Sequence, residues 1–99
     1  MQKEIYARGP IACGIDATNK FYNEYKGGIW KEFKLLPIAD HIVSVVGWGK
    51  DPKMGDYWIV RNSWGTAWGE NGFFRIVMED GNLGLGLNEC NWAVPSLKN

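Results

Sequence analysis

Two apolar runs constrain this chain more than any other feature: "HIVSVVGWG" (His41–Gly49) and "YWIVRN" (Tyr57–Asn62). Both are rich in β-branched and aromatic residues, which suit a pleated, half-buried surface. Between them lies "KDPKMGD", whose Pro, Gly and Asp mark a loop. Two such runs around one loop predict an antiparallel hairpin. A third run, "FFRIVME", begins at Phe73, and "IACGIDA" alternates so that Ile11, Cys13, Ile15 and Ala17 share one face. Around these strands, "MQKEIYA" has helical character broken by Gly9-Pro10, Thr18 caps a short helix or turn in "TNKFYNEY", and Pro37 interrupts an irregular "EFKLLPIAD". The expectation is one small, mainly β, antiparallel domain with a short helix at its start. Its 99 residues are too few for two domains.

The charge balance narrows the function. Eleven basic and eleven acidic residues leave no net charge, which argues against an electrostatic nucleic-acid or anionic-membrane binder. No run approaches the ~20 apolar residues that span a bilayer. "MQKEIYARGP" lacks the apolar core of a signal peptide. One histidine and two distant cysteines make no metal-ligand cluster, and no cofactor motif is present. Cys13 and Cys90 are either two buried thiols or one bridge. A bridge would close a loop of roughly 78 residues, constrain the unfolded chain by ~4–5 kcal/mol and imply an oxidising compartment.

Pairing the two strong strands with His41 opposite Asn62 sets Val43 against Val60, Val45 against Trp58 and Gly47 against Asp56, leaving Trp48–Gly55 as the loop. Opposed residues share a face, so this register lays an apolar ladder beneath a polar pair. A carboxamide oxygen that accepts from one imidazole N–H fixes the tautomer and frees the other nitrogen. Such a ring can take a proton from a nucleophile and return it to a leaving group. Any hairpin supplies opposed pairs, however. Spacing alone therefore favours a merely hydrogen-bonded His and Asn at a sheet edge.

The segments "DHIVSVVGWG" and "YWIVRNSWGTAWGENGFFRI" resemble the C-terminal half of papain-like cysteine peptidases, as do "EIYARGPIACGI" and the "GGI" turn of "YKGGIW". Within that family the likeness is closest to the cathepsin X (cathepsin Z) type. The resemblance implies an antiparallel, β-barrel-like right-hand domain over residues 1–99, part of an α+β enzyme fold when complete. It implies that His41 is the general base and then the acid, and that Asn62 orients its imidazole. Trp64 would shield that bond and border the cleft, with Ala39 and Asp40 at the wall near the substrate's side chains. Trp68 is read as packing and Ser63 as bonding through its backbone. Cys13 and Cys90 resemble the bridge that ties the domain's first strand to its last segment. The implied activity is hydrolysis of peptide or protein substrates, as a carboxypeptidase, in a lysosomal or secreted setting.

The family's nucleophile lies in a "CGSCW" segment of the other half, and no such motif occurs here. The only glutamine, Gln2, matches nothing in the oxyanion hole. The chain alone is therefore expected to be inactive, its partner being the N-terminal half that carries the nucleophile. It is read as a piece of a complete peptidase. The alternatives are one chain of a two-chain peptidase and a non-catalytic module that binds peptides or glycans.

Overall fold

The computed structural model describes residues 9–34, 36–78, 81–85 and 90–92. The helix expected over Met1–Ala7 lies outside them. Six strands and one helix follow in chain order: β1 (Ile11–Ile15), α1 (Asn19–Glu24), β2 (Ile29–Trp30), β3 (His41–Asp51), β4 (Gly55–Arg61), β5 (Phe73–Val77) and β6 (Cys90–Trp92). They form one sheet in the order β2-β5-β4-β3-β1-β6. Every neighbouring pair is antiparallel except β2 and β5, which run parallel because the chain returns to β5 after the whole β3–β4 hairpin. The sheet is thus mixed rather than purely antiparallel. Among the described residues no ladder joins β2 to β6, so the barrel-like closure is not carried by hydrogen bonds.

The hairpin forms where the apolar runs predict it, but its register differs. Val45 pairs with Val60 rather than Trp58, Gly47 with Ile59 rather than Asp56, and the ladder continues through Trp48↔Trp58 to Asp51↔Gly55. The expected eight-residue loop is mostly strand. A tighter turn closes it, in which the Asp51 carboxylate accepts from the backbone N–H groups of Lys53 and Met54. A bulge between Val45 and Gly47 absorbs one residue. Near the site the offset from expectation is two residues, which preserves the side-chain faces. Val43, Val45, Trp58 and Val60 are accordingly all buried.

On the first strand, Ile11, Cys13 and Ile15 point into the core as their alternation predicts. Cys13 faces Cys90 across the β1–β6 ladder, and the two form a disulfide spanning 77 positions. Helix α1 is a single short element. The Thr18 hydroxyl accepts from the Phe21 N–H at 3.0 Å and donates to Glu32 Oε1 at 2.9 Å. That cap delivers Phe21, fully buried, into a nest of rings from Tyr25, Trp30, Trp64, Trp68 and Phe74, with centroids 4.9–6.1 Å away.

Candidate active site

The site lies where β3 begins and β4 ends. His41 is the first residue of β3 and pairs with Ile15, the last residue of β1. Asn62 is the first residue beyond β4, and its N–H donates to Gly72 O at 2.9 Å, which ties the loop back on itself. His41 Nε2 and Asn62 Oδ1 are 2.7 Å apart. They do not meet as a ladder pair, as the expected register has it, because the ladder stops at Arg61. The carboxamide instead reaches the ring from the loop.

The tautomer follows from a third group. Asn62 Oδ1 also accepts from the Ser63 backbone N–H at 2.8 Å. A backbone N–H can only donate, so the atom it meets is the carbonyl oxygen, and His41 Nε2 must bring a hydrogen to that same oxygen. In the neutral imidazole this leaves the lone pair on Nδ1. Ser63 therefore contributes its backbone here, while the carboxamide's Nδ2 is buried with no hydrogen-bond partner among the described residues. Leaving such a donor unpaired costs about 1–3 kcal/mol.

Trp64 stacks on the His41 ring, with centroids 4.9 Å apart and planes 19° from parallel. The indole is itself propped edge-on by Trp68 at 4.8 Å and Tyr22 at 5.0 Å. Trp68 packs into the ring cluster, and its Nε1–H donates to Tyr22 O at 3.2 Å. The loop that carries both tryptophans needs a left-handed residue at Gly69 (φ +61°). A Cβ there would lie 2.7 Å from Phe73 O. Beneath the loop, Glu70 takes Arg75 in a two-point pair, at 3.0 and 2.7 Å, and accepts from Gly28 N–H. The Arg75 guanidinium holds the Glu70 carboxyl below its ordinary range. Burial pushes the neighbouring Tyr25 phenol up to about 12. It stays protonated and donates to Gly28 O at 2.6 Å.

Ala39 and Asp40 precede His41 on the exposed side. Asp40 is tied to β1: its Oδ1 accepts from Ala17 N–H at 2.9 Å, and its N–H donates to Ile15 O at 3.1 Å. Asn62 also lines an apolar hollow of about 310 Å³, together with Ala12, Ile42, Val43, Ser44, Arg61 and Ser63. The sequence gives no hint of Phe21 and Tyr22 as the props of Trp64. Their aromatic character was visible, but their proximity depends on where α1 docks.

The chain matches the model of the papain family cysteine proteases over residues 1–95. It belongs to that family. Cathepsin Z of Onchocerca volvulus is 52% identical over 102 residues, covering 96% of this chain and 33% of that protein. Cathepsin L of Sarcophaga peregrina is 39% identical, covering 83% of this chain and 24% of that protein. The structure of digestive procathepsin L 3 of the Tenebrio molitor larval midgut superposes with a TM-score of 0.79 at 38% identity, over 92% of this chain and 30% of that one. This papain-family chain thus spans a third or less of the length of these relatives.

Proposed function

We propose that residues 1–99 form the base-bearing, C-terminal wall of a cysteine-type peptidase active site. His41 takes the proton from a thiol supplied by another segment or chain, then returns it to the leaving amine. Asn62 holds the imidazole through Nε2–H, so that Nδ1 faces the chemistry. Trp64 covers the bond and keeps water from competing for the carboxamide. The observation that carries this reading is the single oxygen of Asn62 shared by His41 and Ser63, under a stacked indole. A hydrogen-bonded His at an ordinary sheet edge needs neither the fixed tautomer nor the roof.

Catalysis of acyl transfer requires nucleophile, base and oxyanion donors together, and such groups act as a unit. The isolated chain is therefore inactive in this reading, and its substrate is a peptide or protein. In this reading Ala39 and Asp40 line the cleft wall. The Asp40 carboxylate, already engaged with Ala17, acts there mainly as a shape. The likeness to cathepsin X-type enzymes supports carboxypeptidase action, and the Cys13–Cys90 disulfide supports a lysosomal or secreted setting. No helix among the described residues is long and apolar enough to cross a membrane.

The test is reconstitution. The chain is mixed with a separately expressed, nucleophile-bearing half of a papain-family relative and probed with a thiol-directed epoxide. Labelling and peptide hydrolysis in the mixture alone are expected, both reduced about 10²–10⁴-fold by His41→Gln. Hydrolysis unaffected by that substitution would remove His41 from its role. Peptide or glycan binding by the isolated chain, without any reconstituted activity, would favour a binding module.

A further inference from the structure

The lead-in to His41 is held in an unusual way. Among its described residues from Phe33 to Asp40, none is buried, and Phe33, Leu36 and Ile38 are each at least two-thirds exposed. Among the described residues no apolar anchor fixes the segment that delivers His41. Its attachments are polar and converge on the end of β1. Asp16, only 2% exposed, accepts from Ile38 N–H through Oδ2 at 2.9 Å and pairs the same oxygen with Lys34 Nζ at 2.6 Å. Asp16 is itself immobilised, since its N–H donates to Leu83 O at 3.0 Å and its carbonyl accepts from Thr18 N–H at 3.1 Å. On either side of it, Ile15 O and Ala17 N–H take the two ends of Asp40.

The geometry points to Asp16 as a positioning residue for His41. Its carboxylate latches the lead-in onto β1, so that the first residue of β3 meets Asn62 and Trp64 in one orientation. The inference rests on reading His41 as the base of a peptidase site. The chemistry favours a latch over incidental packing. A buried carboxylate is tolerated only when paired and hydrogen-bonded. Among the described residues, the bonds the side chain makes go to Lys34 and Ile38 and none to the core. The ends of strands fray first, and His41 sits at an end whose one ladder partner among the described residues is the terminal residue of β1. Without the latch, Asp40 would be the remaining tether among the described residues of a mostly exposed segment.

His41 is the only histidine in the chain, so imidazole resonances report on it without ambiguity. The experiment records the His41 ring-nitrogen shifts, the exchange of its Nε2–H, and backbone amide exchange in the 99-residue chain and in Asp16→Ala and Asp16→Asn. In Asp16→Ala the Ile38 amide is expected to exchange at least about tenfold faster, as loss of a charge-assisted bond predicts. The Nε2–H should lose protection with it, and the ring shifts should move toward mixed tautomers. The Val45 and Val60 amides should keep their protection. Asp16→Asn retains an acceptor for Ile38 and should recover most of the parent's His41 signature. A His41 signature unchanged in Asp16→Ala while the Ile38 amide is freed would overturn the proposal, because Asp16 would then fix the loop alone. Where Asp16→Ala does not fold, Asp16→Leu, which fills the space without an acceptor, decides on the same readouts. A parallel loosening of Ile38 and His41 supports the latch, and loosening of Ile38 alone, or of neither, overturns it. These signals need no thiol and no turnover, so failure of the latch and failure of the peptidase reading are separate results.

Discussion

The two arms that bring His41 and Asn62 together are held by different physics. The arm behind Asn62, residues 62–73, is fastened by rings: Trp64 and Trp68 lodge against Phe21, Tyr22, Tyr25 and Phe74, and the Glu70–Arg75 pair braces the base. The arm before His41, residues 33–40, buries no described side chain and is fastened by hydrogen bonds to three consecutive residues of β1 and its end. Apolar attachment is non-directional and tolerates small shifts. Polar attachment fixes direction but holds little surface away from water. One arm supplies most of the stability, and the other supplies the aim.

If that division is right, the largest loss comes from the ring cluster. Phe21→Ala should destabilise the fold by about 3–5 kcal/mol and weaken the Trp64 roof with it, read by denaturant unfolding and tryptophan fluorescence. A loss below about 1 kcal/mol would mean that the cluster is loosely packed and the contrast false. Next, amide exchange in the unmodified chain should separate the arms directly. The Asn62 and Gly72 amides should be at least about tenfold better protected than those of Ile38 and Asp40, a gap near 1.4 kcal/mol. Equal protection would erase the comparison. Thr18→Ala, which removes the cap of α1 and its bond to Glu32, should cost about 1 kcal/mol and loosen Phe21 more than His41.

The smallest effect is a pH dependence on the ring-held side. Glu70 is more acidic in the folded chain than in the unfolded one, chiefly because of the Arg75 hydrogen bond. Its contribution is therefore present above the ordinary glutamate value of 4.5 and fades as pH falls through that value toward the lower folded one. Glu70→Gln should flatten the decline in melting temperature between neutral pH and below 4.5. An unchanged slope would show that the pair is screened by solvent.

Much of this was legible before any coordinates. The strands at Ile11, His41, Tyr57 and Phe73, the Thr18 cap and the inward set of Val43, Val45, Trp58 and Val60 follow from alternation, β-branching and capping chemistry alone. The exact pairing does not. A bulge at Val46 costs nothing that a one-letter string displays, and a turn shorter than its Pro-Lys-Met-Gly composition suggests slides the ladder by two. The faces survive that slide, which is why the core was readable although the partners were not. Asp16 was invisible for a related reason. An aspartate after an alternating strand reads as a solvated end, and only the fold-back of the lead-in over it reveals a buried anchor.

The bond between Cys13 and Cys90 has a consequence for the sheet's outer margin. Among the described residues β6 contributes three to that rim, and a stretch of three is too short to stay zipped on backbone contacts alone. While the sulfurs are joined, β1 is an interior strand. Once they are reduced, the rim can peel away and leave a row of open peptide groups along β1, ready to recruit a strand from another molecule. The redox state of its surroundings thereby governs whether this chain presents a sealed border or a sticky one.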